Sequence, residues 1–171
     1  VTGLILAKDG QIIVERYQYG RTDRQRMTSF SMAKTLVAMM VGLAVQEGRI
    51  RSIDDKAEVY VKSLKGTAYG ETPIRHLLTM SSGVQFREEY DGNDDSARLS
   101  RATFGGQTAG GVEATKLFDR RIAVPGERWS YASSETYVLA LVLRAVIGRQ
   151  LAEYFSEKIW VPIGAEADAS F

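Results

Sequence analysis

The stretch Thr28 to Gly48, TSFSMAKTLVAMMVGLAVQEG, constrains the chain most, because nearly every residue from Met32 to Val45 is apolar or small around a lone lysine. Apolar residues all round predict a helix buried on most sides, with Gly48 as its C-terminal stop. Ser31 falls at the N-terminus of that helix, and Lys34, three residues on, shares a face with it. An ammonium among aliphatic side chains is costly without a partner. The first N–H groups of a helix have no helical acceptor, and the dipole favours negative charge there, which suits a serine that must develop an oxyanion. At this level the pair has two readings: a nucleophile with its base, or a serine N-cap followed by a lysine that snorkels to solvent.

The whole chain narrows the function classes. Its 171 residues, 44% hydrophobic and 25% charged, have the composition of a soluble globular domain with one core. A net charge of +1 with dispersed Lys and Arg argues against nucleic acid and anionic membranes as partners. The lack of cysteine excludes disulfides, thiolate metal sites and a cysteine nucleophile. A single histidine cannot build a metal site alone, and neither metal nor cofactor is expected. The apolar run Leu36 to Val45 is about half the length of a membrane span. The N-terminus shows no charged-then-apolar export signal, and because Val1 already lies in a strand such a signal could have been lost upstream, so cytoplasm and periplasm both stay open.

In chain order, Val1 to Tyr17 holds two β-prone runs joined by Lys8-Asp9-Gly10, which predicts an antiparallel hairpin. Gln18 to Met27 is a polar, arginine-rich crossing. Asp54 and Asp55 are placed to open a short helix, and Thr72-Pro73 to cap and start another over IRHLLTM, ended by Ser81-Ser82-Gly83. The region from Val84 to Gly111 is acidic and glycine-rich, with Glu88, Glu89, Tyr90, Asp91, Asp94 and Asp95 followed by FGGQTAGG. It is expected to form a long solvated loop at the rim of a site, with no EF-hand spacing for calcium and with Tyr90 best placed to reach a ligand. Glu113 to Ile122 suggests a short helix. A buried helix follows the Pro125-Gly126 turn, capped by Ser133 or Ser134 and closed by Gly148. A last amphipathic helix stops before Pro162.

A serine needs a base to become a nucleophile near neutral pH. His76 lies in an apolar-periodic segment and reads as a packing residue, so a Ser-His-Asp triad fits poorly. Lys34 and Tyr131 are the remaining candidates. Both have ordinary pKa values near ~10; burial lowers a lysine and a neighbouring ammonium favours a tyrosinate, so each helps the other accept the serine proton. Tyr131 taken alone also reads as an aromatic packing on Trp129.

The ordered set SMAKT, IRHLLTMSSGV and PGERWSYASSETYVLA, with the opening LAKDGQIIVERY and the closing GRQLAEYFSEKIWVPIGAEADASF, resembles the serine β-lactamase and penicillin-binding-protein superfamily. Within it the chain is most similar to the esterase, DD-peptidase and class C β-lactamase branch, and there to the 6-aminohexanoate-dimer (nylon-oligomer) hydrolase group. The resemblance implies an α+β, β-lactamase/transpeptidase-like fold of antiparallel strands plus a helical region. Residues 1–171 would form a partial domain, with a hairpin over 1–17, a mainly helical region over 28–160 and the acidic, glycine-rich loop near 84–111.

By the same resemblance Ser31 is the acylating nucleophile, Lys34 its proton-transfer partner and Tyr131 the first residue of the family's Tyr-x-Asn element. Ser133 stands where many relatives have Asn; one hydroxyl replaces an amide donor and carbonyl, which turns the expectation from β-lactams toward esters or amide oligomers. Tyr90 matches the loop tyrosine that closes over substrate in the nylon-oligomer group. The family's Lys-Thr-Gly or His-x-Gly strand, which provides the second oxyanion donor, and the C-terminal strands come later in such chains, so these residues are expected to be an N-terminal portion with an unpaired sheet edge. A complementing C-terminal segment or another copy of the chain is then an expected partner, beside a small ester or amide substrate. The alternative is a non-catalytic scaffold or binding module of the same fold, or an inactive fragment.

Overall fold

The computed structural model describes residues 1–106 and 110–169; Gln107, Thr108 and Ala109 of the expected glycine-rich loop, and Ser170 and Phe171 of the closing motif, lie outside the described residues. Two compact units result, one of Val1–Phe30 with the chain from Ala167 onward, the other of Ser31–Glu166.

The first unit is built on the predicted hairpin. Strand β1 (Gly3–Lys8) pairs antiparallel with β2 (Gln11–Tyr17), from Gly3 opposite Tyr17 to Lys8 opposite Gln11. Asp9 and Gly10 at the turn have φ of 50° and 76°, the left-handed pair that matches the twist of a tight hairpin. Leu6 pairs with Val14 and Ala7 with Ile12, so Ile13 is the extra residue of a bulge. Among the described residues the sheet has two strands, and Leu4, Ile5, Leu6, Ile12 and Ile13 are exposed on it.

The second unit is helical. Its helices are α1 (Ala33–Gln46), α2 (Ala57–Tyr60), α3 (Ile74–Leu78), α4 (Asp95–Phe104), α5 (Gly111–Thr115), α6 (Ser133–Ile147) and α7 (Leu151–Phe155), with α7 running into a π-type turn, Ser156–Trp160, before Pro162. Helix α6 is central: Val138, Leu139, Val142 and Leu143 are buried, and it packs against α1, α2, α3, α4, α5 and α7. Gly148, at φ 72°, ends it as expected.

Several sequence expectations are corrected. Helix α1 is buried on one side only, through Met40, Val41 and Ala44, while Thr35, Ala38, Met39 and Gly42 face outward. Its single packed face lies on α6, which small outward residues do not extend. The expected loop over 84–111 contains α4, whose polar sequence hides a face of Leu99 and Ala102 and whose N-cap is Asp94. Neither Ser133 nor Ser134 caps α6: the cap position is Ala132, the Ser134 hydroxyl lies 2.5 Å from that of Tyr69, and Ser133 is the first helical residue. Thr72 does not cap α3, because its hydroxyl donates to the Ala68 carbonyl at 2.8 Å. Helix α2 starts beyond Asp54 and Asp55, which instead bind Arg75 and the Tyr60 hydroxyl. Helix α5 is shorter and earlier than the expected Glu113 to Ile122.

After α3 the chain runs antiparallel to the segment before α6. Gln85 N–H donates to Arg120 O and Ile122 N–H to Gly83 O, each at 2.8 Å, and Val84 bridges Arg121. Gly83 is required there: it has φ 73°, and a Cβ on it would stand 2.0 Å from the Ala123 carbonyl oxygen.

Candidate active site

Ser31 sits in a 3-10 turn, Phe30–Met32, that opens directly into α1, so Lys34 rises one turn above it. The Lys34 ammonium donates to Ser31 Oγ at 3.2 Å. From the other side the Tyr131 hydroxyl donates to the same Oγ at 2.6 Å, and Lys34 Nζ lies 5.1 Å from the centre of the Tyr131 ring. Ser31, Lys34 and Tyr131 are therefore brought together, and Tyr131 faces the lysine while Trp129 is 68% exposed.

Tyr131 is aimed by the backbone pairing below it. Ser130 N–H donates to Met80 O and Gly126 N–H to Ser81 O, both at 2.8 Å. His76 takes the packing role expected of it: its ring presses on Gly126, where an added Cβ would stand 2.5 Å from Cε1. Burial pushes the Tyr131 phenol up, but hydrogen bonds with Ser31 and Lys34 and the Lys34 charge outweigh it and leave the group below the ordinary tyrosine value. A tyrosine that ionises more readily beside an ammonium is a better acceptor of the serine proton.

Tyr90 and Ser133 meet at a residue that the sequence does not single out. Glu88 accepts from the Ser133 N–H and from the Ser133 hydroxyl, each at 2.6 Å, and from the Tyr90 hydroxyl at 2.8 Å. The hydrogen bond to Glu88 and burial push the Tyr90 phenol up to about 12. The loop is not simply solvated. Asp94 is 1% exposed and accepts from the N–H groups of Glu89, Tyr90 and Ala97 at 2.7, 2.6 and 2.9 Å. Those backbone donors fix Tyr90 in a left-handed conformation at φ 59°. No local pattern signals Glu88, because its partner Ser133 is 45 positions away.

Beside Tyr131 lies an open cavity of about 540 Å³, lined by Val84, Phe86, Glu88, Ile122, Arg128 and Tyr131 among others. Its walls combine apolar side chains with both signs of charge. Among the described residues no group of three His, Asp or Glu is placed to hold a metal, and no helix is long and apolar enough to cross a membrane.

Comparison with known proteins finds relatives along nearly the whole of this chain. A 6-aminohexanoate-dimer hydrolase of Paenarthrobacter ureafaciens is 24% identical over 170 residues, which are 97% of this chain and 43% of the relative. A Bacillus anthracis structure assigned as a 6-aminohexanoate-dimer hydrolase superposes with a TM-score of 0.81 at 26% identity, covering 91% of this chain and 42% of that one. The octameric penicillin-binding protein homologue from Pyrococcus abyssi gives 0.70 at 25% identity, covering 99% and 40%. The chain thus spans less than half the length of these relatives, and it shares with them the β-lactamase/transpeptidase-like fold of a group whose members include hydrolases. A sequence profile of the Beta-lactamase family matches residues 2–168, and the chain belongs to that family.

Proposed function

We propose that this chain carries the nucleophile side of a serine hydrolase that cleaves esters or amides through an acyl-enzyme. The observation that carries the proposal is the convergence of the Lys34 ammonium and the Tyr131 hydroxyl on Ser31 Oγ, at 3.2 and 2.6 Å. Once Tyr131 is ionised, its oxygen accepts the serine proton across that short separation. Ser31 Oγ then attacks the carbonyl carbon, and the Ser31 N–H, at the start of a helical turn, supports the developing oxyanion. Tyr131 passes the proton to the leaving alcohol or amine, with the Lys34 charge holding the phenolate form between steps. Water attacks the acyl-enzyme by the reverse use of the same groups, releasing the acid and restoring Ser31.

Tyr90 and Ser133 are proposed to border the substrate. The Ser133 hydroxyl is engaged with Glu88, at the position where the family resemblance implies an Asn in many members, and this supports esters or amide oligomers over β-lactams. Two relatives named as 6-aminohexanoate-dimer hydrolases support the same substrate class. The test is intact mass after incubation of the full-length protein with a fluorophosphonate. One adduct, mapped to Ser31 and lost in Ser31→Ala, is expected. An unlabelled protein would overturn the proposal in favour of a non-catalytic scaffold of the same fold.

A further inference from the structure

We propose that Glu88 is a positioning residue of this site: it caps α6 from outside the helix and so holds the segment bearing Tyr131 in line with Ser31. The inference rests on the serine-hydrolase function proposed above.

Helix α6 begins without a cap of its own. Ala132 at the cap position has no side-chain acceptor, and the Ser134 side chain is turned to Tyr69. Glu135, in the first turn, points at Ser82, whose hydroxyl donates to it at 2.6 Å. The first helical N–H, that of Ser133, would then lack an acceptor. Glu88 provides it, 45 positions away in the chain, and adds a carboxylate at the positive end of the helix dipole. The Ser133 hydroxyl makes the attachment two-pronged. Tyr131 lies only two residues upstream, so a shift at Ser133 propagates directly to the phenol.

Glu88 is itself held on both sides. Arg87 N–H donates to the Asp95 carboxylate at 2.9 Å, and Asp94 takes the next two N–H groups, those of Glu89 and Tyr90. The start of α4 thereby presents Glu88 to the start of α6. The third donor to Glu88, the Tyr90 hydroxyl, links the aromatic rim of the cavity to the same carboxylate. The chain of contacts runs from the Asp94 cap through Glu88 to Ser133 and ends at Tyr131.

The experiment compares Glu88→Ala and Glu88→Gln with the wild-type protein by fluorophosphonate acylation rate, hydrogen exchange at the Ser133 amide, and titration of Tyr90 by carbon NMR of labelled tyrosine. In Glu88→Ala the saturating acylation rate should fall roughly 10- to 100-fold, the scale of a small misplacement of a reacting group, with half-saturation nearly unchanged. Glu88→Gln retains a carbonyl acceptor for the Ser133 N–H and should recover most of the rate, while Tyr90, freed from the carboxylate, titrates well below about 12. A purely stabilising residue would not give this split. Wild-type acylation rates in Glu88→Ala, or rates equally low in both variants, would overturn the inference. Should the wild-type protein not be acylated at all, the hydrolase proposal fails on its own; Ser133 exchange still tests the cap, and unchanged protection in Glu88→Ala overturns it.

Discussion

The hydroxyl of Tyr131 lies 2.6 Å from Ser31 Oγ although 100 positions of chain separate the two residues. If Tyr131 is the base, Tyr131→Phe leaves the ring and removes the proton acceptor. Acylation of Ser31 by a fluorophosphonate or an activated ester should drop by about 100-fold or more, the usual scale of a lost general base. The wild-type rate should rise with pH as the phenolate forms and level off below the ordinary tyrosine value of about 10, because Ser31 and Lys34 lower this phenol against the opposing effect of burial. A pH–rate profile checks both; a rise that continues through pH 10 would exclude Tyr131 as the group that titrates.

Lys34→Met keeps the apolar stem and removes the charge. The Lys34 ammonium donates to Ser31 and lies over the Tyr131 ring, so its loss should slow acylation by roughly 100-fold and move the alkaline rise upward in pH. The direction of the shift distinguishes electrostatic support of the phenolate from simple loss of packing, which would lower the rate at every pH without moving the profile.

Much of this geometry can be read from sequence because its determinants are local. Ser31 and Lys34 share a helix face by their spacing, Asp9-Gly10 announces the hairpin turn, and the apolar periodicity ending at Gly148 marks α6. Tyr131, 100 positions from Ser31, is legible only through the resemblance of its motif to the family's, and the parts that cannot be read at all depend on other partners far away in the chain. Ser133 and Ser134 look like caps, yet Glu88 and Tyr69 claim their hydroxyls. Asp94 looks like one more solvated acid, yet three backbone N–H groups bury it at the start of a helix whose own composition is too polar to announce it. The outward face of α1 escapes notice for the opposite reason, since small and apolar residues there imitate burial.

Asp94→Ala should release the loop that carries Glu88 and Tyr90. The Ala97 N–H, with the Ser96 hydroxyl and the N–H groups of Glu89 and Tyr90, holds this carboxyl below the usual carboxylate range in spite of burial. Because the folded pKa is lowered, the contribution to stability is complete above the unfolded value of about 4 and disappears as pH falls below it. Acid unfolding of Asp94→Asn should therefore show a shallower loss of stability than wild type below pH ~4. Amide exchange at Glu89 and Tyr90 should speed up in Asp94→Ala; unchanged protection there would show that the loop does not depend on Asp94.

Gly83→Ala should destabilise the ledge beneath Tyr131. The residue has a left-handed φ of 73°, and its new Cβ would meet the Ala123 carbonyl at 2.0 Å, a backbone atom that cannot rotate away. Conformational strain and overpacking together predict a loss of about 2 kcal/mol or more. Denaturant unfolding measures it, and a loss within 0.5 kcal/mol, the usual scatter of neutral surface changes, would mean that the pairing of Gly83 with Ile122 is dispensable.

Glu135, 2% exposed in the first turn of α6, should make the protein less stable as pH rises toward neutrality. Its Oε1 accepts from the Ser82 N–H at 3.3 Å and hydroxyl at 2.6 Å, while Oε2 has no partner among the described residues. Burial raises the carboxyl to about 7, against the lowering effect of the Ser82 hydrogen bonds. The unfolded chain releases this proton near the ordinary glutamate value of 4.5, whereas the folded protein keeps it until about 7. Between those limits the folded state binds more protons, so stability falls with rising pH, by up to roughly 3 kcal/mol for a shift of this size. Glu135→Gln retains the acceptor for Ser82 and cannot ionise. Its stability minus that of wild type should therefore grow across this interval and become constant above it. A difference that does not vary with pH would mean that Glu135 is ionised in the folded protein.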